Sequence, residues 1–321
     1  MKIKRSFIFV YIYLILMLSV PTNYYIIAPN ESKTIKEAFE IEGYEQSPYL
    51  SSISVISLDY ITPFMRLVYR LDPNMDVDYQ SPYEQQINVF EQIIRSKNQK
   101  NASIEQAIIW SYKLAKEKVN SIQIDYEFVG MIVDYRETFF DNLLIGDIII
   151  DVNHQGFSDY ESMGLYFLSL EDEVILTISR NQEIFDIKIH KTKEHLFRFY
   201  PKYEIHSTYP SIKLNDILWS TGGPSAGMMY TLSIYLGLTS YDLINELVVG
   251  TGTIRYNGEI GLIGGIRQKV YQAYKEGAKY FILPKAQLNE VLDFESKINL
   301  YPVETIEDAI EVIYDIFGQP I

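Results

Sequence analysis

Apolar and polar positions divide the chain into four stretches of different texture. Behind the basic start Met1-Lys2-Ile3-Lys4-Arg5, residues 6–30 carry no charge. Their centre is the run Phe7-Ile8-Phe9-Val10-Tyr11-Ile12-Tyr13-Leu14-Ile15-Leu16-Met17-Leu18. A bilayer span needs roughly 20 apolar residues, so residues 1–30 are expected to be a cytoplasmic tip and an uncleaved transmembrane anchor. Tyr24 and Tyr25 suit the membrane–water interface, and the basic start favours the N-terminus inside. A cleaved signal peptide is the rival, but no small-x-small site stands near Ser19, and Pro21 intrudes. The remainder is then expected at the cell membrane on its extracytoplasmic side.

Residues 31–118 begin as a polar linker. Residues 49–60 alternate around Ile53, Val55, Ile56 and Leu58 and read as a strand. Residues 61–71 are apolar and helical until Asp72-Pro73-Asn74-Met75-Asp76 breaks them. Ser81-Pro82-Tyr83-Glu84 opens a helix over residues 81–97. Ser103-Ile104-Glu105-Gln106 opens another, through Ala107, Ile108, Trp110, Leu114 and Ala115.

Residues 119–192 change to short strands and turns. Strands are expected at 126–133 and 143–153, a turn at His154-Gln155-Gly156, and a helix at 160–169. Residues 172–180 and 184–189 form a hairpin around Asn181-Gln182. Residues 193–321 alternate again: strands at 203–206, 211–218, 247–256 and 280–283, and a closing helix at 306–317. The class is α/β, or more broadly α+β. The apolar faces at 49–60 and 103–115 are too large for a free linker. They are expected to complete the core of the C-terminal domain, with residues 119–192 inserted between them and their two ends close together.

Charge and composition narrow the function. Net charge is −14, which argues against nucleic acid as a partner, because phosphate binding needs clustered Lys and Arg. The absence of cysteine removes thiol catalysis, Cys–zinc sites and disulfides together. The four histidines, His154, His190, His195 and His206, share no metal-ligand spacing. No cofactor and no metal is expected.

Two segments carry chemistry. Ser220-Thr221-Gly222-Gly223-Pro224-Ser225-Ala226-Gly227 is a glycine-rich turn running into an apolar helix. Ser225 at a helix N-terminus meets free N–H groups and a dipole that favour developing negative charge. Downstream, Ile266, Val270, Ala273 and Gly277 form an apolar stripe, and Lys269 shares its side. A lysine in apolar surroundings loses solvation, and its pKa falls until it can act as a neutral base. Blander roles compete. Such a serine is commonly only an N-cap, such a lysine commonly snorkels to water, and a glycine-rich turn can cradle phosphate in a small-molecule kinase.

Gly223-Pro224-Ser225-Ala226-Gly227, with Lys269 44 residues after the serine, resembles the proteolytic domain of the Lon family. So does the run from Thr251 to Lys269. The resemblance spans residues 211–313. It implies Ser225 as nucleophile, Lys269 as base, Thr251 beside the lysine amine, and an oxyanion site at the backbone of Gly222, Gly223 and Ser225. Ile145-Gly146-Asp147-Ile148-Ile149 and the strand Val174 to Arg180 resemble a bacterial PDZ domain. That resemblance implies a peptide groove between the loop near Phe128, Val129 and Gly130 and the 160–169 helix. Glu127 stands where a glycine is common. The order of parts, with a Lon-like domain over 193–321, resembles a membrane-anchored PDZ–Lon branch of Gram-positive bacteria that lacks the ATPase module. No G-x-x-x-x-G-K-[ST] occurs here, so ATP is not expected. The implied activity is a Ser/Lys endopeptidase acting on extracytoplasmic peptides or proteins, free to oligomerise. The alternative is an inactive PDZ scaffold.

Overall fold

The computed structural model describes residues 5–216, 218, 223–241 and 246–318. The chain starts with helix α1 (Arg5–Ser19), then β1 (Tyr24–Thr34), β2 (Phe39–Ile41), β3 (Leu50–Leu58), α2 (Pro63–Tyr69) and β4 (Asp76–Tyr79). A long helix α3 (Val89–Lys118) follows. Next come β5 (Gln123–Arg136), β6 (Ile148–Val152), α4 (Tyr160–Ser169), β7 (Asp172–Arg180), β8 (Glu183–Lys191), β9 (Phe197–Tyr209) and β10 (Ile212–Leu214). The last part holds α5 (Gly227–Leu238), β11 (Val248–Gly250), β12 (Thr253–Ile254), β13 (Ile260–Gly261), α6 (Ile266–Lys275), β14 (Tyr280–Pro284), β15 (Asn299–Val303) and α7 (Ile306–Phe317).

A six-stranded sheet in the order β15-β14-β11-β3-β1-β4 frames the larger core. Its middle is parallel: Val248 of β11 pairs with Leu50 of β3 on one side and with Tyr280 of β14 on the other. Parallel strands buried on both faces are apolar at successive positions. Here Val248 and Ile282 face a core shared with α3, α5 and α7, while Val249, Phe281 and Leu283 face a second core under α6. Helix α5 is buried along its whole length, as its all-round apolar sequence requires.

A second sheet, β8-β7-β6-β5-β9, is built from residues 123–209 alone. It has its own core, with Met131, Val133, Ile149, Val152, Val174, Leu176 and Ile178 under Met163 and Phe167 of α4. The β7–β8 hairpin turns at Asn181 and Gln182, both with positive φ of 53° and 70°, the turn that matches strand twist. In sequence this sheet lies between β1–β3–α3 and β11–β14–β15, which share the other sheet and its helices.

Several expectations change. Helix α1 ends at Ser19, and Tyr24 to Asn30 belong to β1, paired with β3 and β4 rather than continuing a span. Ile26, 1% exposed, is a core residue of the sheet. Among the described residues no helix is long and apolar enough to cross a membrane. The expected linker contains the last four residues of β1 and also β2, which pairs with β10. The two helices expected at 81–97 and 103–115 are the single α3, because nothing between them breaks a helix. Its cap is Asn88, in a capping box with Glu91, while Ser81 and Glu84 close a one-turn 3₁₀ segment, Glu84–Gln86. Strand β9 pairs with β5 from Gln123↔Tyr209 to Arg136↔Phe197, so the smaller sheet runs past residue 192. Residues 211–218 yield only the three-residue β10.

Candidate active site

Two helix starts and one strand end build the site. Ser225 stands two residues before α5, whose N-cap is Ala226. Lys269 lies in the first turn of α6, which Gly265 opens in the left-handed conformation, φ 66°. A Cβ at Gly265 would come within 2.7 Å of Ile27 Cγ2 and 2.9 Å of Val55 Cγ1, so glycine is required for α6 to start against β1 and β3. Thr251 follows the C-terminal end of β11, held by its N–H on the Ile282 carbonyl at 3.0 Å.

These three meet. Lys269 Nζ donates to Ser225 Oγ at 2.9 Å and to Thr251 Oγ1 at 3.2 Å. The Thr251 hydroxyl donates to the Ser225 carbonyl at 3.1 Å, and Gly252 N–H donates to the same oxygen at 2.8 Å. Thr251 therefore spends its only hydrogen on the serine backbone and must accept from the amine. This turns the amine's remaining valence toward Ser225 Oγ. Lys269 is 2% exposed and packs with the Ile266, Val270 and Ala273 layer. Burial alone pushes its pKa from 10.5 down to about 7, with no carboxylate to pull it back up. The amine is thus largely neutral at mildly alkaline pH.

Gly223, with φ 66°, shapes the turn before the serine. Among the described residues the N–H groups of Gly223 and Ser225 donate to no other group. Gly222 lies outside the described residues. Phe128, Val129 and Gly130, beside which the peptide groove was expected, are in strand β5, within the strand expected at 126–133, with Val129 at a bulge in the pairing with β9. Gly130 is there because a Cβ would lie 2.1 Å from the Ile149 carbonyl oxygen. On the β6 side, β5 has a strand partner only at Met131 and Ile132. No metal-holding group of side chains occurs among the described residues.

Two residues on α3 were not foreseen. Ser103 Oγ donates to the Pro224 carbonyl at 2.9 Å, one peptide before the nucleophile. One turn earlier, buried Lys100 donates Nζ to the Leu218 carbonyl, and burial with help from Lys33 pushes its pKa down to about 8. The helix therefore holds the serine loop on either side of its glycines. Ser103-x-x-Gln106 looks like a capping box in sequence, yet the serine is mid-helix and its hydroxyl serves the loop. The one local signal was a run of polar residues, Lys100, Ser103 and Gln106, at three-residue spacing on one side of a helix that also carries Ala107 there.

Comparison with known proteins agrees with this geometry. Residues 184–315 match the family model of the Lon protease (S16) C-terminal proteolytic domain. The Lon protease of Borrelia duttonii is 22% identical over 232 residues, covering 66% of this chain and 26% of that relative. The Lon protease of Fervidobacterium nodosum is 37% identical over 97 residues, 28% of this chain and 12% of that relative. The archaeal Lon protease of Thermococcus kodakarensis is 30% identical over 118 residues, 35% of this chain and 17% of that relative. The chain spans about a quarter or less of the length of these relatives.

Proposed function

We propose that this chain, whose residues 184–315 carry a Lon-type proteolytic domain, is a serine endopeptidase with a Ser225/Lys269 dyad that works without ATP. The observation that carries the reading is the 2.9 Å approach of a buried, charge-poor lysine amine to the serine oxygen. With Lys269 neutral, the Ser225 O–H donates to Nζ, and Oγ attacks the scissile carbonyl as its proton passes to the amine. Backbone N–H groups of Ser225 and Gly223 receive the oxyanion, each worth roughly 10²–10³ in rate. The ammonium then protonates the leaving amine. Water, activated by the same lysine, hydrolyses the acyl-enzyme.

The partner is a peptide or protein, docked by the smaller sheet as a PDZ-like domain. The free side of β5 before Met131, beside α4, supports strand addition there. Tyr160 at the start of α4 stacks 4.9 Å from Tyr256, which lies between β12 and β13, so that face adjoins the peptidase domain. A membrane location outside the cytoplasm is supported by α1, uncharged after Arg5, with Phe7, Phe9, Tyr11, Tyr13, Ile15 and Leu18 all exposed. The test uses the full chain with a fluorophosphonate serine probe and an unstructured protein substrate. Wild type should label and cut. Ser225→Ala should do neither, and Lys269→Arg should fail because a guanidinium cannot serve as base. Turnover by Lys269→Arg at the wild-type rate would end this reading. Protease added outside intact cells should reach the Ser225 domain.

A further inference from the structure

Helix α2 has the pattern of a core helix and the surroundings of a surface one. Phe64, Leu67 and Val68 in the helix, with Leu71 in the turn just after it, recur at i, i+3, i+4 and i+7, the stripe that normally faces a core. Yet no residue of α2 is buried, and these four are exposed by 48%, 59%, 43% and 78%. The helix is well formed: Pro63 sits in its first turn, and Thr62 caps it by accepting from the Met65 N–H at 3.3 Å. An apolar stripe so placed calls for a partner.

Its position says which. Thr22 donates both its N–H, at 3.1 Å, and its hydroxyl, at 2.6 Å, to the Ile61 carbonyl just before α2. Thr22 is three residues from the end of α1, a reach of at most about 11 Å. The start of α2 is therefore tied to the foot of α1. If α1 sits in a bilayer, its foot lies at the membrane interface, where interfacial residues such as Tyr24 and Tyr25 belong. Whatever lies at its foot must then tolerate lipid. Arg66, stacked 3.7 Å over the Tyr24 ring, and exposed Arg70 add cations beside the stripe, suited to lipid phosphates.

We propose that α2 is a second membrane contact, lying along the bilayer surface with Phe64, Leu67, Val68 and Leu71 in the headgroup–acyl boundary. It fixes the tilt of the peptidase domain over the lipid. The proposal rests on the membrane reading above and fails separately from it.

The chain has no cysteine, so single labels are clean. Full chains carrying Leu67→Cys, Phe9→Cys or Leu196→Cys, each labelled with bimane, are placed in phosphatidylcholine/phosphatidylglycerol vesicles containing shallow nitroxide lipid. Retained labelling at Ser225 shows that each is folded. The Leu67 site should be quenched at least about threefold more than Leu196, the aqueous control on the smaller domain, and Phe9 should be quenched as well. If Phe9 is quenched and Leu67 matches Leu196, α2 faces water and the proposal is wrong while the anchor stands. If neither is quenched, the membrane reading itself fails and takes the proposal with it. If Leu67 is shielded from aqueous iodide without lipid quenching, the stripe is covered by another copy of the chain, which also overturns it.

Discussion

The dyad and the seam between the two domains are buried by opposite means. Lys269 is buried on the helix whose Ile266, Val270 and Ala273 belong to an apolar core, and its amine's hydrogen-bond partners are the Ser225 and Thr251 hydroxyls. The seam where the smaller sheet lies on α3 is polar. Asp134 accepts from Arg95 at 3.0 Å and Gln99 at 2.7 Å, Arg136 donates to Glu91 at 3.0 Å, and Glu105 accepts from Lys202 and the Tyr203 N–H. Tyr83 lies between Arg95 and Arg198, 4.7 and 4.6 Å from its ring centre. The first region uses the lack of charge to change one pKa. The second uses charge pairs to fix an orientation. Chemistry should therefore respond to pH and packing, and docking to salt and to charge deletion.

The largest expected effect comes from filling the apolar side completely. Lys269→Met should lower peptidase activity by at least about 10³-fold, while raising stability near neutral pH. The sign follows from proton counts. Unfolded, the lysine holds its proton up to about 10.5, and folded only to about 7, so between those values the unfolded chain binds more protons and wild-type stability rises with pH. The burden of the buried amine is greatest below pH 7, on the order of 5 kcal/mol at most. The melting-temperature gain of Lys269→Met should thus be largest near pH 6 and shrink toward pH 10. A gain independent of pH would show that the amine is not desolvated.

The same shift sets the pH profile of the wild type. The neutral base gains population as pH rises, so kcat/KM should climb about tenfold per unit below pH 7 and level off above it. A midpoint near 10 would mean an ordinary solvated lysine.

Ser103 tests whether packing around the loop is separable from the base. Ser103→Ala removes one hydrogen bond to the Pro224 carbonyl, worth about 0.5–1.5 kcal/mol, so acylation should slow by roughly three- to tenfold. The pH midpoint should stay put, because Lys269 keeps its surroundings. A shifted midpoint would place Ser103 in the proton path instead.

Sequence reading singled out Ser225 and Lys269, which the structure brings to 2.9 Å of each other, because each stands in a short motif and the family resemblance joins the two. It found α5, α7, the β7–β8 hairpin and β14 because each is specified by its own period and its own turn. It missed what depends on distant partners. Tyr24 to Asn30 is apolar enough for a span, and only pairing with β3 and β4 makes it a strand. Ser103 resembled a helix cap until the serine loop, 121 residues away, met it. The end of the smaller sheet was misjudged because β9 is long, and half of it alternates weakly.

The smallest effect on the chemistry should come from the seam. Asp134 is 4% exposed and holds two donors from α3. Asp134→Ala leaves Arg95 without that partner and should destabilise the contact by about 3 kcal/mol. Neither residue touches Ser225 or Lys269, so turnover of a small activated ester should change by less than about twofold, within the additivity of distant sites. If the smaller sheet docks substrate as proposed, cleavage of a long peptide should fall further and become more salt-sensitive, because that sheet is then held less firmly on α3. Hydrogen exchange should rise at the start of α3 and along β5, and not at α5 or α6. If the ester and the long peptide lose activity equally, the seam supports the catalytic core itself, and the contrast between a neutral centre and a charged hinge disappears.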